Sequence, residues 1–318
     1  METTATPVPA TPLGLFEKAR VVLAAAVAVI LLSTVGWVVA EPADPGMGVT
    51  LVAHWGRVAA VWPALIVLTA VAGVIGTVLA PRRLAEGGMF VAAIGLAGMA
   101  LKGGSMQEVL GYMLAAPETG ARRSLMAQMA LDSLLWTVVL AATWIAVALV
   151  RRWLWADEEL YNPVPSPASR NLTPAAPAGK SQAGWPAMVV TGLIAVFFIW
   201  LTVGRTPVAT IARGQVIASV AAGFYLGAMA ARYFTRNDQA HWYLLAVPAG
   251  ALLGFLVAFL NSGMGWAPPP FADLKTTPPH ELARPLPIEY LAVGVAGTLA
   301  GFWSGERMEQ ATEQEKKT

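Results

Sequence analysis

Seven polar residues are conspicuous because they lie at the ends of long apolar segments or just inside them. Their side chains could form structural ion pairs, line a pocket for a small solute or ion, or supply a catalytic base. An ionisable group within a membrane-spanning segment is costly and is usually paired or functional. The seven residues are Arg57, Lys102, Asp132, Arg213, Gln215, Asn261 and Glu289.

Asp132 is the residue whose burial would cost the most free energy. It lies about two helical turns beyond Ser124, where an apolar segment begins. A lone carboxylate at that depth needs a compensating partner, and Arg57 and Lys102 are the predicted basic candidates. Two interpretations follow: salt bridges that lock the second helix to the fourth, or an outward-facing polar pocket.

The sequence contains no catalytic or metal-binding motif that would favour one of these interpretations. The chain has no cysteine, which excludes disulfides, thiolate metal sites and cysteine nucleophiles. His54, His241 and His280 lack metal-ligand spacing, so we predict neither a metal nor a cofactor. A membrane enzyme acting on a lipid-linked substrate would have to use Asp132, Glu289 or His54 as its base or nucleophile.

The composition is that of an integral membrane protein. Of 318 residues, 56% are hydrophobic and 13% are charged, whereas soluble proteins average about 25% charged residues. Most of the surface must therefore face lipid, and the lipid bilayer is the first predicted partner. The net charge of +2 gives no indication of a nucleic-acid partner.

Eight apolar segments have the length of a membrane-spanning helix. The sequence therefore predicts an all-α integral membrane fold with about eight transmembrane helices. The segments are Ala19–Ala40, Trp55–Ala80, Gly88–Gly104, Ser124–Val150, Trp185–Val203, Gly214–Phe234, Ala240–Leu260 and Ile288–Trp303.

The distribution of basic residues predicts the orientation. Thirteen Lys and Arg residues fall on the side of both termini and eight on the other side, which predicts cytoplasmic termini. Richness in Ala, Gly, Val and Arg suggests a bacterial source, and hence the bacterial inner membrane. One alternative is that the first segment is a signal peptide cleaved after Ala40.

A proline-rich segment divides the chain into two halves of four predicted helices. The first half is 19–155, the cytoplasmic linker is 156–184 and the second half is 185–305. Similar stretches occur in the same order in both halves, such as "LLSTVGW" and "IWLTVGR", then "ALKGGSM" and "FLNSGM". These matches predict a 4+4 parallel internal repeat.

A short amphipathic helix is predicted near 105–116. Ser105 and Glu108 have capping-box spacing, and an apolar stripe follows them. Gly103 and Gly104 would form a corner, so that the helix lies flat at the outer membrane interface. The remaining predicted parts are a disordered cytoplasmic tail at 1–18, a proline-rich outer loop at 261–287 and a polar tail at 306–318.

Three functions are compatible with this pattern. The first is a transporter-like protein with an outward-facing polar site for a small solute or ion. The second is a scaffold or accessory subunit with a membrane-protein partner or a homo-oligomeric state, and the third is the lipid-active enzyme. Glycines spaced four apart in the last three predicted helices indicate close helix packing rather than dimerisation.

Overall fold

The regular secondary structure in the described part of the chain is helical. A computed structural model of the protein describes residues 13–42, 44, 46–52, 55–82, 84–114, 119–161, 184–203, 212–262 and 277–315. The helices in these ranges are α1 Leu15–Ala40, α2 Val58–Leu79, α3 Gly87–Lys102, α4 Met106–Met113, α5 Thr119–Tyr161, α6 Trp185–Thr202, α7 Arg213–Thr235, α8 Ala240–Asn261 and α9 Pro287–Glu315.

Six of these helices are long and apolar enough to cross a membrane: α1, α2, α5, α6, α7 and α8. The pair α3 and α4, bent by 53° at its break, would be a seventh if taken as one span. The chain is therefore an all-helical membrane protein with six to seven candidate spans in its described ranges. The predicted count of eight stays a prediction.

The eighth predicted segment lies within α9, and the first half of this helix is enclosed by protein. Nearly every residue from Pro287 to Leu299 is buried, and α9 packs against α7, α3, α8 and α5. A helix enclosed by protein has less need of large apolar side chains than one that faces lipid. This buried position explains why α9 is rich in glycine and less hydrophobic than the six candidate spans.

Close backbone packing joins α9 to α7. A Cβ atom on Gly297 would lie 2.5 Å from the carbonyl oxygen of Ala221, and one on Gly301 would overlap the carbonyl oxygen of Tyr225. In α7 the glycine Gly227 faces the backbone of α6 in the same way. The glycines thus serve close packing within the chain, as predicted.

The helix α1 contains one turn of wider, π-type winding at Leu32–Gly36. The hydroxyls of Ser33 and Thr34 donate to the carbonyl oxygens of Val29 and Ile30, each at 2.5 Å. Such back-bonding competes with the regular helical hydrogen bonds. The wider turn packs against α3.

The short helix α4 follows the predicted corner at Gly103 and Gly104. Its capping box is present: Ser105 accepts from the backbone N–H of Gln107 at 3.2 Å, and Glu108 accepts from the N–H of Ser105 at 2.8 Å. The apolar stripe is buried against protein, with Val109 beside Gly48. The stripe is therefore covered by protein, and the position of the helix at the outer membrane interface stays a prediction.

The covering element is the connector between α1 and α2. Residues 47–52 of this connector are all buried, and none of them belongs to an α-helix or a strand. The carbonyl oxygen of Met47 accepts from the N–H of Gly104 at 3.1 Å. A hydrophobic length criterion does not detect this buried stretch, because residues 47–52 are too few to form a span.

The predicted boundaries shift at several points. The first helix begins at Leu15 rather than 19, α5 continues to Tyr161 beyond 155, and α9 continues into the predicted tail. Most of the linker 156–184 and the stretch 263–276 of the outer loop lie outside the described residues. The end of that loop is a buried connector with a 3₁₀ turn at Glu281–Ala283.

Candidate functional site

Arg213, the first residue of α7, connects the two halves of the chain. Its guanidinium donates to the carbonyl oxygen of Leu101 at 3.3 Å and also to those of Ala100 and Gly103. These carbonyls end α3, where the helix dipole is negative and unpaired acceptors remain. Arg213 therefore caps a helix of the first half from a helix of the second.

Glu289 completes this junction from the first turn of α9. Its Oε1 accepts from Nε of Arg213 at 2.9 Å, and its Oε2 accepts from the backbone N–H of Leu286 at 2.9 Å. The Glu289 side chain is 1% exposed and the Arg213 side chain 20% exposed. The carboxylate is favourable at a helix N-terminus, and burial makes its ionised form dependent on Arg213.

A small cavity lies beside this ion pair. It is partly open to the surface, and the space available to the centre of a water-sized group is about 20 Å³. The cavity includes residues from the break after α3, from the start of α7 and from the connector before α9, so both halves contribute to it. Its lining consists of Ser105, Met106, Gln107, Arg213, Val216, Pro278, Arg284 and Glu289.

Asp132 lies elsewhere and has a different kind of partner from the one expected. Its Oδ1 accepts from the backbone N–H groups of Leu51 at 2.6 Å and Val52 at 3.1 Å. Its Oδ2 accepts from the indole of Trp136 at 3.2 Å. The side chain is fully buried. Within the described ranges, backbone amides and an indole thus take the place of the predicted basic partner.

The two predicted partners of Asp132 make other contacts or face outward. Lys102 donates to the carbonyl oxygen of Ser33 at 3.1 Å and lies 5.1 Å from the ring centre of Trp37. The Ser33 carbonyl belongs to the wider turn of α1, where regular helical bonding is interrupted. Arg57, at the N-cap of α2, is exposed.

Gln215 and Asn261 do not line the cavity. Gln215 donates to the carbonyl oxygen of Thr202 at 2.8 Å and so caps the end of α6. Asn261 is the last residue of α8 and is half-buried. Of the seven predicted residues, the structure therefore pairs Arg213 with Glu289 and separates the other five.

Sequence reasoning missed three features of this region. Arg284 is not among the seven predicted residues although it lines the cavity, and the spacing of Arg213 and Glu289 in the chain gives no sign that they pair. The donors at Leu51 and Val52 are backbone groups, so their residue types carry no signal. His54, a further predicted candidate, lies outside the described residues.

A second charged cluster lies at the opposite end of α7. Arg232, in its last turn, donates to Asp238 at 2.5 Å and is 3.2 Å from Glu309 of α9. Its guanidinium carbon also lies 5.3 Å from the ring centre of Phe302. Charged groups thus join α7 to α9 at both ends of the pair.

Neither metal chemistry nor similarity to other proteins identifies this site. Among the described residues, no group of three or more His, Asp or Glu side chains is placed to hold a metal ion. Comparison with protein-family models, curated proteins and solved structures finds no match. The helices themselves define the class, a multi-helix membrane-embedded protein.

Proposed function

We propose that the protein is a transporter-like protein of the bacterial inner membrane that handles a small solute or ion at an outward-facing polar site. In this proposal eight helices cross the membrane and both termini are cytoplasmic. The site is the cavity beside Arg213 and Glu289, and Asp132, Lys102, Arg57, Gln215 and Asn261 contribute outside it to the surrounding structure.

The observation that carries the proposal is the position of the cavity at a helix break. At the break between α3 and α4 the carbonyl oxygen of Gly103 accepts from Arg213 of the second half, and Ser105 lines the cavity together with Arg213 and Glu289. Transporter binding sites are commonly built from discontinuous helices at the junction of two repeats. The Arg213 contact with the end of α3 supports this proposal, because it joins a helix break of the first predicted half to the second.

The helix contacts support the 4+4 repeat in part. In each half the first helix packs on the second and third, and the second helix packs on the fourth, as for α2 with α5 and α7 with α9. The halves also differ, because α2 packs along α3 whereas α7 scarcely contacts α8. A repeat that has diverged at one helix pair accounts for both observations.

The orientation can be tested by labelling single cysteines, because the chain has none of its own. We expect a membrane-impermeant thiol reagent to label R57C in intact cells and R152C only after permeabilisation. Both residues are exposed. Labelling in the reverse pattern would invert the proposed topology and place the cavity on the cytoplasmic side.

Transport can be tested in proteoliposomes that contain dyes sensitive to chloride, sodium or potassium, with glycerol-induced swelling as the neutral-solute assay. We expect influx of one of these probes above that of protein-free vesicles, and a lower influx for E289Q. The variant G120A is the control, because nothing lies within 4 Å of a Cβ atom at that position. Influx equal to that of empty vesicles for all four probes would reject the transporter proposal.

One specific observation favours a scaffold or accessory subunit as the second candidate. The buried groups Asp132 and Glu289 each accept hydrogen bonds at both oxygens from within the chain. In a scaffold, buried carboxylates keep the same hydrogen-bond partners permanently. For this candidate we expect no flux, together with a stable membrane-protein partner or homo-oligomer after mild detergent extraction.

A further inference from the structure

The short helix α4 is held in place differently from the long helices. No helix in the described part of the chain packs extensively against it. Its apolar stripe meets the connector between α1 and α2 instead: a Cβ atom on Gly48 would lie 3.0 Å from a methyl group of Val109. The same Cβ atom would lie 2.6 Å from a methyl group of Leu286, in the connector before α9. The helix α4 therefore lies where non-helical segments of both halves meet.

A helix of this length depends on such contacts to stay in place. It has eight residues, and isolated helices shorter than about 12–15 residues are marginal in water. Its capping box is internal, because Ser105 and Glu108 supply both capping hydrogen bonds. Segments with few tertiary contacts open locally while the rest of a protein stays folded. The helix α4 can therefore leave the connectors without losing its own cap.

The corner before α4 determines where this opening would begin. The carbonyl oxygen of Gly103 accepts from the guanidinium of Arg213. The N–H of Gly104 donates to the carbonyl oxygen of Met47 at 3.1 Å. Both glycines are thus anchored to other parts of the chain. The next backbone position that can rotate is Ser105, the extended N-cap of α4.

The start of α4 forms part of the cavity wall. Ser105, Met106 and Gln107 line the cavity from α4, and Arg213 and Glu289 line it from the second half. The cavity is partly open to the surface even with α4 in place. Rotation of α4 about its N-cap would remove the residues after Ser105 from this wall and widen the opening at the ion pair.

We propose that α4 is a lid over the cavity, which swings about Ser105 as a helical unit and exposes the Arg213–Glu289 pair to the outer solution. The inference rests on the site named in the proposed function and adds how a solute reaches that site. Arg213 keeps its contacts with Glu289 and α3, since these lie on the anchored side of the corner. The apolar stripe favours return of the lid, because its exposure to water is unfavourable.

Thiol labelling of the purified, detergent-solubilised protein tests the opening, because the chain has no cysteine of its own. V109C probes the buried face of α4, Y112C its exposed face, and L282C a buried position that packs against Gly254 of α8. We expect Y112C to react fastest and V109C to react at least about 10-fold faster than L282C, because local opening uncovers only the lid. L110C, on the same stripe, replaces V109C if that variant does not fold. Equally slow labelling of the stripe and of L282C would overturn the proposal.

A reversible lock tests whether the lid controls access. The 3.0 Å approach of a Cβ atom on Gly48 to a methyl group of Val109 suits a disulfide, which needs Cβ atoms about 3.5–4.5 Å apart. In proteoliposomes of G48C/V109C, oxidation should stop the influx of the probe that the wild type admits, and reduction should restore it. V109C treated with the same oxidant is the control and should keep its influx. Equal influx in the oxidised and reduced double variant would overturn the lid.

The outcomes also separate this inference from the proposed function. Faster labelling of V109C than of L282C, without influx of any probe, supports a lid in a protein that is not a transporter. Influx through the wild type, together with equally slow labelling of V109C and L282C, supports a transporter and rejects the lid.

Discussion

Asp132 in α5 holds the backbone of Leu51, with 2.6 Å between the carboxylate Oδ1 and the amide nitrogen. The connector that contains Leu51 is buried, although it is neither helix nor sheet at that point. Buried backbone outside regular secondary structure needs protein groups to satisfy its hydrogen bonds. Asp132 supplies two of those bonds, and Trp136, one turn further along α5, binds its other oxygen.

We therefore predict that Asp132 is required for stability. In D132A three buried donors lose their acceptor, and each such loss costs about 1–3 kcal/mol. D132N keeps one oxygen for the amides of Leu51 and Val52, so its loss should be smaller. Thermal unfolding in detergent measures both variants.

The control for this series is T137V, which removes a hydroxyl that bonds only within α5, to the carbonyl oxygen of Ser133. It should stay close to the wild type. Normal unfolding of D132A together with loss of flux would contradict the structural role and make Asp132 a transport residue.

The Arg213–Glu289 pair should show strong energetic coupling. R213M leaves a buried carboxylate unpaired and removes the cap of α3, and breaking a buried pair costs about 3–5 kcal/mol. E289Q should cost less, because glutamine still accepts from the N–H of Leu286. A double-mutant cycle by chemical unfolding should give a coupling energy of about 0.5–3 kcal/mol. Additive single effects would show that the two side chains act independently.

Gly297 should not tolerate a larger residue. Because a Cβ atom would lie 2.5 Å from the carbonyl oxygen of Ala221, G297A must push α9 away from α7, at a cost of about 1–3 kcal/mol. G120A adds the same methyl group to a helix where space is open and should leave the unfolding temperature unchanged or slightly raised. Equal behaviour of the two variants would contradict the close α7–α9 contact.

His280 should make stability depend on pH. Burial lowers the pKa of His280 below its ordinary value, and the nearby Glu281 offsets part of this effect. The neutral ring accepts the N–H of Leu282 at Nδ1, so protonation removes a native hydrogen bond. As the pH falls, the unfolded chain therefore binds more protons than the folded chain. The stabilisation that neutral His280 provides is complete above about pH 6.5 and is lost as the pH falls below it.

The check is a comparison of unfolding free energies of the wild type and H280Q between about pH 5 and pH 8, a range that spans the ordinary histidine pKa. Glutamine can accept the same N–H but does not titrate, so H280Q should have a shallower pH slope. If the free energies of unfolding of the two proteins depend on pH in the same way, groups other than His280 cause the acid sensitivity.

The sequence alone determined the membrane-embedded helical class and the local structure of α4. Long apolar segments fix a helix because lipid offers no hydrogen-bond partner to the backbone. The capping box at Ser105 and Glu108 is likewise local, since both partners lie within one turn. Features of this kind depend on residue type and short spacing, which are visible in the chain.

The tertiary structure decided the partners of the charged groups. Glu289 is 76 residues from Arg213, and Asp132 is 81 residues from Leu51, so no local pattern links them. We expected Asp132 to pair with a cation, because the charge of a buried carboxylate must be stabilised by a partner. Backbone N–H groups also stabilise a carboxylate, and residue types do not reveal which of them do so. Which cation meets which anion, and where a cavity remains between them, follows from how α3, α7 and α9 converge.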